Sequence, residues 1–491
     1  GKGNIEIDWR IPGGTSEITR LLSADFRAGF KNYWRNELGN EWDSTIAGAF
    51  NDRKRKLPED PADYTTGDQA RHRFLSSNVG IGIDVFFGGG TYDFIRQAEH
   101  GHLVALDTKQ TRYGPGIISR DHRDWFSEDV IPATVSGETY YDSQFRWIGT
   151  CLSSFGIVYN TDSLERLGIS KAPQTWDDLG SHLYARQVAL ADPTKSGSIT
   201  KAFEMLIQEK IQTAIANAER FPGQSDEQVV QHAIERGWID GLQLIQKISA
   251  NARYFTDDAT KIPRDVSSGV SAAGMCIDFY GRTQSEYVRR PDGTSRVGYT
   301  TPVGGSSTSV DPIALLRGAP NPEHAHDFIE FVLSEEGQKL WNTRVGAPGG
   351  PEHSALRRLP VRKDVYTSEN LAHFSDAAVM PYEHAGAFVY KPEYTASAFQ
   401  SIRFIVRVMC LDTHDELKEA WHTLIKMDFP PRATQLFHDV HLVNYPAATG
   451  RIAEILSQKG DPLLEVHLAR NLADEFRVHY ETAIEMALRG E

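Results

Sequence analysis

The sequence predicts an α/β protein of two domains with a helical C-terminal extension. Three observations carry this expectation. The chain has 491 residues, more than one ordinary hydrophobic core serves, so two domains with additions are expected. Strand-to-helix turns rich in glycine and hydroxyl residues recur at Pro12-Gly13-Gly14-Thr15-Ser16, at Gly88-Gly89-Gly90-Thr91 and at Asp192 to Ser198. Such repeats suggest an α/β layer whose strand ends face a common crevice. Finally, Ser154 to Leu179 sets out a strand, a short helix, a proline-marked loop and a second helix start, in that order.

The elements follow in chain order. Asn4 to Ile11 reads as an opening strand, and Ile18, Leu21, Leu22 and Phe26 mark one face of the helix after it. Residues 38–69 are polar, charged and interrupted by proline, and read as an insertion or long loop. Val79 to Phe87 is a strand ending in Gly88-Gly89-Gly90, and Thr91-Tyr92-Asp93 opens a helix through His100.

Phe155, Ile157, Val158 and Tyr159 are β-formers. Asp162 with Glu165 reads as a capping pair, Gly168 stops the short helix, and Thr175 with Asp178 reads as a capping box. Gln187 to Ala191 is a strand, followed by a helix from Thr200 through at least Ile211. Asp226 to Ala250 is helical. The run SSGVSAAG (267–274) reads as a small helix before a strand, Met275 to Tyr280.

Arg290-Pro291-Asp292-Gly293 marks a hairpin turn into a strand from Val297 to Val303. Ser306 to Ser309 reads as a polar turn before Asp311 to Leu316. Asn321-Pro322 supplies an N-cap and an N1 proline. Ala325, Phe328, Ile329 and Val332 give that helix its face, and Ser334 starts the next. The last third is helical, with a capping box expected at Thr413 and Glu416. Leu417, Ala420, Trp421 and Leu424 form one stripe. Leu468, Leu472, Phe476, Tyr480, Ile484 and Leu488 form another, read as a packing face.

Two of these segments carry a family pattern. Gly156, Tyr159-Asn160, Gly168, Pro173, Thr175-Trp176 and Asp178-Leu179 form the first. Asn321-Pro322, Ala325, Phe328-Ile329, Phe331, Leu333-Ser334 and Glu336-Gly337-Gln338 form the second. Their order and spacing resemble the extracellular solute-binding proteins of bacterial ABC importers, which have the type 2 periplasmic binding protein fold. The resemblance implies two lobes joined by hinge-crossing strands: a first lobe over 1–152, a second over 153–305, a return to the first over 306–350, and a C-terminal helical region over 351–491. It also implies a small-molecule ligand, a membrane permease as partner, and capture by hinge closure between lobes. An exported, periplasmic or extracellular monomer is expected, its leader absent from this chain.

Bulk properties agree with a globular protein: 40% of residues are hydrophobic and 24% charged. A formal charge of −14 argues against nucleic acid as a partner. No apolar run approaches the ~20 residues of a membrane helix. Cys151, Cys276 and Cys410 show no metal-ligand spacing. A disulfide between Cys151 and Cys276 is one option, buried reduced thiols the commoner one. No GxSxG, HExxH or Walker A pattern occurs, so neither catalysis, a cofactor nor a metal is expected. The pairs His100/His102 and His438/His441 read as surface or capping histidines, and Asp257-Asp258 as a solvated pair.

The candidate ligand residues lie at the three helix starts: Thr15 and Ser16, Gly90 and Thr91, and Ser196, Gly197 and Ser198. Helix N-termini leave N–H groups unpaired and carry partial positive charge, which suits a phosphate or carboxylate. Each hydroxyl taken singly reads as a plain N-cap; three such turns together favour a shared site. Asp278 and Asp311 sit in apolar runs, where carboxylates need partners. Either they brace the hinge or, with Tyr280, they meet the ligand, as the resemblance implies for these positions. An anionic, hydroxylated or phosphorylated solute uses both features. Ferric-ion binders of this fold carry a Tyr-Tyr pair where this chain has Phe279-Tyr280; Phe279 cannot ligate iron, and that departure lowers iron to an alternative ligand. So is a polyamine, with Trp9 among the residues that could receive it. A ligand sensor of the same fold is the other reading of function.

Overall fold

A computed structural model describes residues 15–52, 56–106, 122–220, 222–383, 385–457 and 462–491. The expected strand from Asn4 to Ile11, Trp9 and the turn Pro12-Gly13-Gly14 lie outside these residues. The described chain is α/β and divides into two compact units. One comprises 1–135, 139–152 and 309–380; the other comprises 136–138, 153–308 and 381–491.

Eleven strands are described: β1 (Val85–Phe87), β2 (Thr134–Val135), β3 (Glu138–Thr139), β4 (Ile148–Ser153), β5 (Phe155–Asn160), β6 (Val188–Ala191), β7 (Ala252–Thr256), β8 (Ala273–Ile277), β9 (Val297–Thr300), β10 (Ser309–Leu315) and β11 (Leu359–Pro360). In the first unit the sheet order is β1-β10-β4-β11. Every residue of β4 and β10 is buried, so these strands are covered on both faces. Phe26 and Phe30 of the Thr15–Asn32 helix pack beside Phe50 and Phe74; the Phe30 and Phe50 rings stack at 5.0 Å. Gly80 and Gly318 approach so closely that neither has room for a side chain, and Gly318 has a φ of 65°.

The second unit holds a sheet of order β7-β6-β8-β5-β9. β6 runs parallel to β7 and β8, whereas β5 is antiparallel to β8 and β9. Beside the sheet, the Gly197–Ala216 and Asp226–Ala250 helices meet where Gly237 and Gly241 face the backbone of Ile211 and Ile207. Residues 381–491 complete this unit's core. Trp238 Nε1 donates to the Val443 carbonyl at 2.9 Å, Gln246 Nε2 to the Phe437 carbonyl at 2.7 Å, and Trp421 Nε1 to Asn251 Oδ1 at 2.8 Å.

Several local expectations need correction. The stretch expected as an insertion or long loop contains the Ser44–Asn51 helix and opens the Thr66–Ser76 helix. Asp43 and Thr65 cap them, and Phe50 anchors the first in the aromatic cluster. The strand expected from Val79 is only Val85–Phe87. The small helix lies earlier than SSGVSAAG, at Lys261–Ser267. β8 ends at Ile277, and Asp278 begins the helix Asp278–Tyr287. Asn160, rather than Asp162, caps the short helix through the Ser163 N–H. Thr175 and Asp178 do form their capping box. Thr413 Oγ1 instead donates back to the Met409 carbonyl, so no box forms there. Along the Pro462–Leu488 helix, Leu468 to Tyr480 are buried on one face but Leu488 is exposed.

His100 and His102 are buried, not at the surface: His102 stacks on Phe26 at 4.3 Å, and burial holds its pKa well below the usual value. All three cysteines are free thiols. Burial pushes Cys151 and Cys410 up to about 12.

Candidate functional site

Strand directions place one set of polar groups along a single edge of the second unit's sheet. β6, β7 and β8 end there, β9 ends there, and β5 begins there. Ligands of open α/β sheets gather at the carboxyl ends of parallel strands. Here β6 leads through residues 192–196 into the Gly197–Ala216 helix, and β8 leads directly into the Asp278–Tyr287 helix. Ser196, Gly197 and Ser198 therefore come to the same edge as Asp278 and Tyr280.

The first helix start is closely built. Ser196 Oγ accepts from the Ile199 N–H and lies 3.1 Å from Ser198 Oγ. Asp192 Oδ1 accepts from the Thr194 N–H at 2.8 Å and from Thr194 Oγ1 at 2.7 Å. Behind this turn, buried Arg403 donates through Nε to the Pro193 carbonyl at 2.8 Å. Lys195 is drawn outward to Asp257 at 2.8 Å. The turn presents hydroxyls and helix N–H groups together, a setting that favours an anion.

Asp278 has a different setting. Its N–H donates to the Ser154 carbonyl at 3.0 Å, and its Oδ1 accepts from the Phe279 N–H at 2.8 Å. Arg282, one helical turn on, approaches the other oxygen at 2.9 Å. A buried carboxylate at a helix start gains from the N-terminal dipole and from this arginine. Tyr280 is half-buried, its ring 4.3 Å from that of Phe279. At the same edge, Ser154 Oγ and Thr301 Oγ1 lie 3.3 Å apart, and Ser306 Oγ accepts from the Phe155 N–H.

Asp311 belongs to the first unit, within β10, where Arg358 forms an ion pair with its carboxylate. Its carbonyl accepts from Thr150 Oγ1 at 2.8 Å. These contacts give it a bracing role inside that unit. Gly90 is the N-cap of the Thr91–Glu99 helix; before it, Gly88 and Gly89 take φ values of 83° and 96°. The Gly88 N–H donates to the Pro312 carbonyl, so this helix start sits next to the strand that carries Asp311. Thr15 and Ser16 open the Thr15–Asn32 helix.

Sequence reasoning missed a buried cluster one turn further along the Gly197–Ala216 helix. Lys201 Nζ lies 3.1 Å from both Glu138 and Glu204, and 3.6 Å from the centre of the Tyr390 ring. Only the Lys201/Glu204 spacing was visible in the sequence, since the other partners are remote along the chain. Among the described residues, no three His, Cys, Asp or Glu side chains could together hold a metal ion. No described helix is long and apolar enough to cross a membrane.

Comparison with known proteins identifies the family. The bacterial extracellular solute-binding protein profile matches residues 72–378. An uncharacterized Haemophilus influenzae protein is 24% identical over 257 residues, covering 52% of this chain and 60% of that protein. The phosphoglycerate transport regulatory protein PgtC of Salmonella typhimurium is 22% identical over 214 residues, 44% of this chain and 43% of PgtC. The chain thus matches less than two thirds of either relative's length. Among solved structures, the periplasmic binding protein AfuA from Actinobacillus pleuropneumoniae, with fructose-6-phosphate bound, aligns at a TM-score of 0.42 and 16% identity, over 83% of this chain and 95% of AfuA. With its profile match spanning more than half of the sequence, the chain belongs to the bacterial extracellular solute-binding protein family.

Proposed function

We propose that the protein is the substrate-binding component of an ABC importer and that it captures a small anionic solute, hydroxylated or phosphorylated. The observation that carries this reading is the start of the Gly197–Ala216 helix, where the Ser196 and Ser198 hydroxyls stand at the N-terminal turn on the carboxyl edge of the sheet. Gly90 with Thr91, and Thr15 with Ser16, are proposed as further anion-binding positions on the same chemical ground. PgtC, a partial relative, is named as a phosphoglycerate transport regulatory protein, which supports a phosphorylated compound as ligand.

The engagement of both candidate carboxylates by arginines favours an anion over a cation. Asp278 is paired with Arg282 and Asp311 with Arg358. A ferric ion or a polyamine would have to compete with those guanidinium groups. Tyr280, beside Asp278, is proposed to orient ligand hydroxyls. Capture by hinge closure, export to the periplasm or cell exterior, and delivery to a membrane permease follow from the same reading, as does the absence of covalent chemistry.

A thermal-shift panel on the full chain tests this, using 3-phosphoglycerate, a hexose phosphate, inorganic phosphate, spermidine and ferric citrate. A ligand present at 100 times its Kd stabilises the folded state by about 2.7 kcal/mol. Stabilisation by a phosphate ester is expected. A shift with spermidine or iron, and none with any phosphate, overturns the anion reading.

A further inference from the structure

The Gly197–Ala216 helix also carries a carboxylate for which ligand binding has no use. Ile207 and Ile211 face the Asp226–Ala250 helix. Glu209, two residues from each, is rotated by about 200° and so lies on the opposite side. That side meets residues 302–308, the segment through which the chain leaves the second unit. One turn before Glu209, Met205 Sδ lies 3.2 Å from Ser307 Oγ. At Gly305, an added Cβ would stand 2.9 Å from Glu209 Oε2 and 3.0 Å from the Trp176 indole. Trp176 Nε1 donates to the Gly305 carbonyl at 2.7 Å, fixing the indole against this spot.

Glu209 Oε2 is buried and has no hydrogen-bond partner among the described residues. An ionised carboxylate in that position bears a desolvation cost that the neutral acid avoids. The charged groups around it are few. Lys210, its neighbour on the helix, is tied to Asp177 of the Trp176–Leu179 helix. Segment 302–308 brings no titratable side chain of its own, but Ser307 Oγ donates to buried Glu138 at 2.6 Å, which is paired with Lys201. Burial raises the Glu209 carboxyl to about 7, with Lys210 opposing the rise and Asp177 adding to it.

We propose that Glu209 is a proton-operated switch for segment 302–308. In the neutral acid, the carboxyl rests against Gly305 and Trp176 and the segment is held. When the carboxyl gives its proton to water, the carboxylate turns toward solvent and Lys210, and the segment loosens. Gly305 is the residue that lets the acid come this close.

Hydrogen exchange of the full chain, followed by mass spectrometry over peptides covering 302–308 between pH 5.5 and 8.5, tests the switch. After correction for intrinsic exchange, protection in the wild type should fall about threefold or more as pH rises through neutrality. Glu209→Gln, which mimics the neutral acid, should stay protected throughout, and Glu209→Ala should lose the pH step at either level of protection. A flat wild-type profile overturns the proposal. So does an unchanged step in Glu209→Gln, which would assign the titration to another group.

Discussion

Lys201 Nζ lies 3.1 Å from the Glu138 carboxylate, joining a helix to the tip of the β2–β3 hairpin. At that tip, Ser136 and Gly137 both have positive φ, and Gly137 has no room for a side chain against the Tyr390 backbone. Glu204 lies 3.1 Å from the same cation and accepts from Tyr390 Oη at 2.8 Å and Thr395 Oγ1 at 2.6 Å. Burial opposes the lysine charge, yet Glu138 and Glu204 hold its pKa above the usual value. Lys201→Met leaves two buried carboxylates without their cation and should destabilise the protein by about 3–5 kcal/mol. Urea denaturation measures this; a loss below about 1 kcal/mol would show that the cluster tolerates an apolar centre.

Stability should fall in mild acid because of two half-buried histidines packed against the core that residues 381–491 complete. Burial, then Lys418, lowers His414 to about 4; burial, then Lys247, lowers His438 to about 4. An unfolded histidine titrates near 6.5. Between those values the unfolded chain binds the protons and the folded chain does not, so folding is fully favoured above about 6.5 and loses ground as pH falls toward 4. The loss approaches about 3 kcal/mol per histidine below pH 4. Urea midpoints at pH 7 and pH 5 should differ accordingly, and His438→Gln should flatten part of the slope.

Ser196 and Ser198 should separate capping from ligand binding. Ser196→Ala removes the cap on Ile199 and should cost about 1 kcal/mol without ligand. Ser198→Ala should change the melting temperature of the free protein little and weaken a phosphate ester's binding severalfold. Isothermal titration calorimetry with 3-phosphoglycerate reads the second effect. Equal destabilisation by both variants without ligand would reduce the pair to structural caps.

Gly237→Ala inserts a methyl group against the Ile211 backbone where two long helices touch. The overpacking should cost about 1–3 kcal/mol and lower the thermal midpoint. Gly223→Ala is not an equivalent control because Gly223 has a φ of 88°; Gly48→Ala, with open space around it, is.

The thiols should be silent in the native state. With Cys151 and Cys410 pushed to about 12 by burial and Cys276 likewise raised, a thiol reagent at pH 8 should label none of them until urea is added. Rapid labelling of native protein would contradict the buried positions.

Local order was the part of the structure most legible in the sequence. Thr175 and Asp178 form their box because both partners lie within one turn, and Ser334 caps the next helix start through the Gly337 N–H for the same reason. Asp278 misled because Phe279 and Tyr280 favour a strand, whereas Arg282, four residues on, pairs with Asp278 only once a helix forms. The Ser44–Asn51 helix was hidden because eight residues give too little periodicity to compete with the charges and prolines that follow. The hydroxyl-lined start at Ser196 was legible as chemistry. The Lys201 cluster was not, since Glu138 and Tyr390 reach it through the tertiary fold. Arg358 was likewise unforeseeable as the partner of Asp311, 47 residues away.

The helices of residues 381–491 lie beyond the end of the family profile at residue 378, yet they share a core with the second unit. Trp238 and Gln246, on a helix inside the profile, donate their hydrogen bonds to carbonyls outside it. Shortening the gene at the profile's edge would therefore leave an indole and an amide facing water on a surface made for burial. The family profile and the packed unit have different limits here. Residues on either side of residue 380 share one packed core, so domain shuffling at that point should yield insoluble protein.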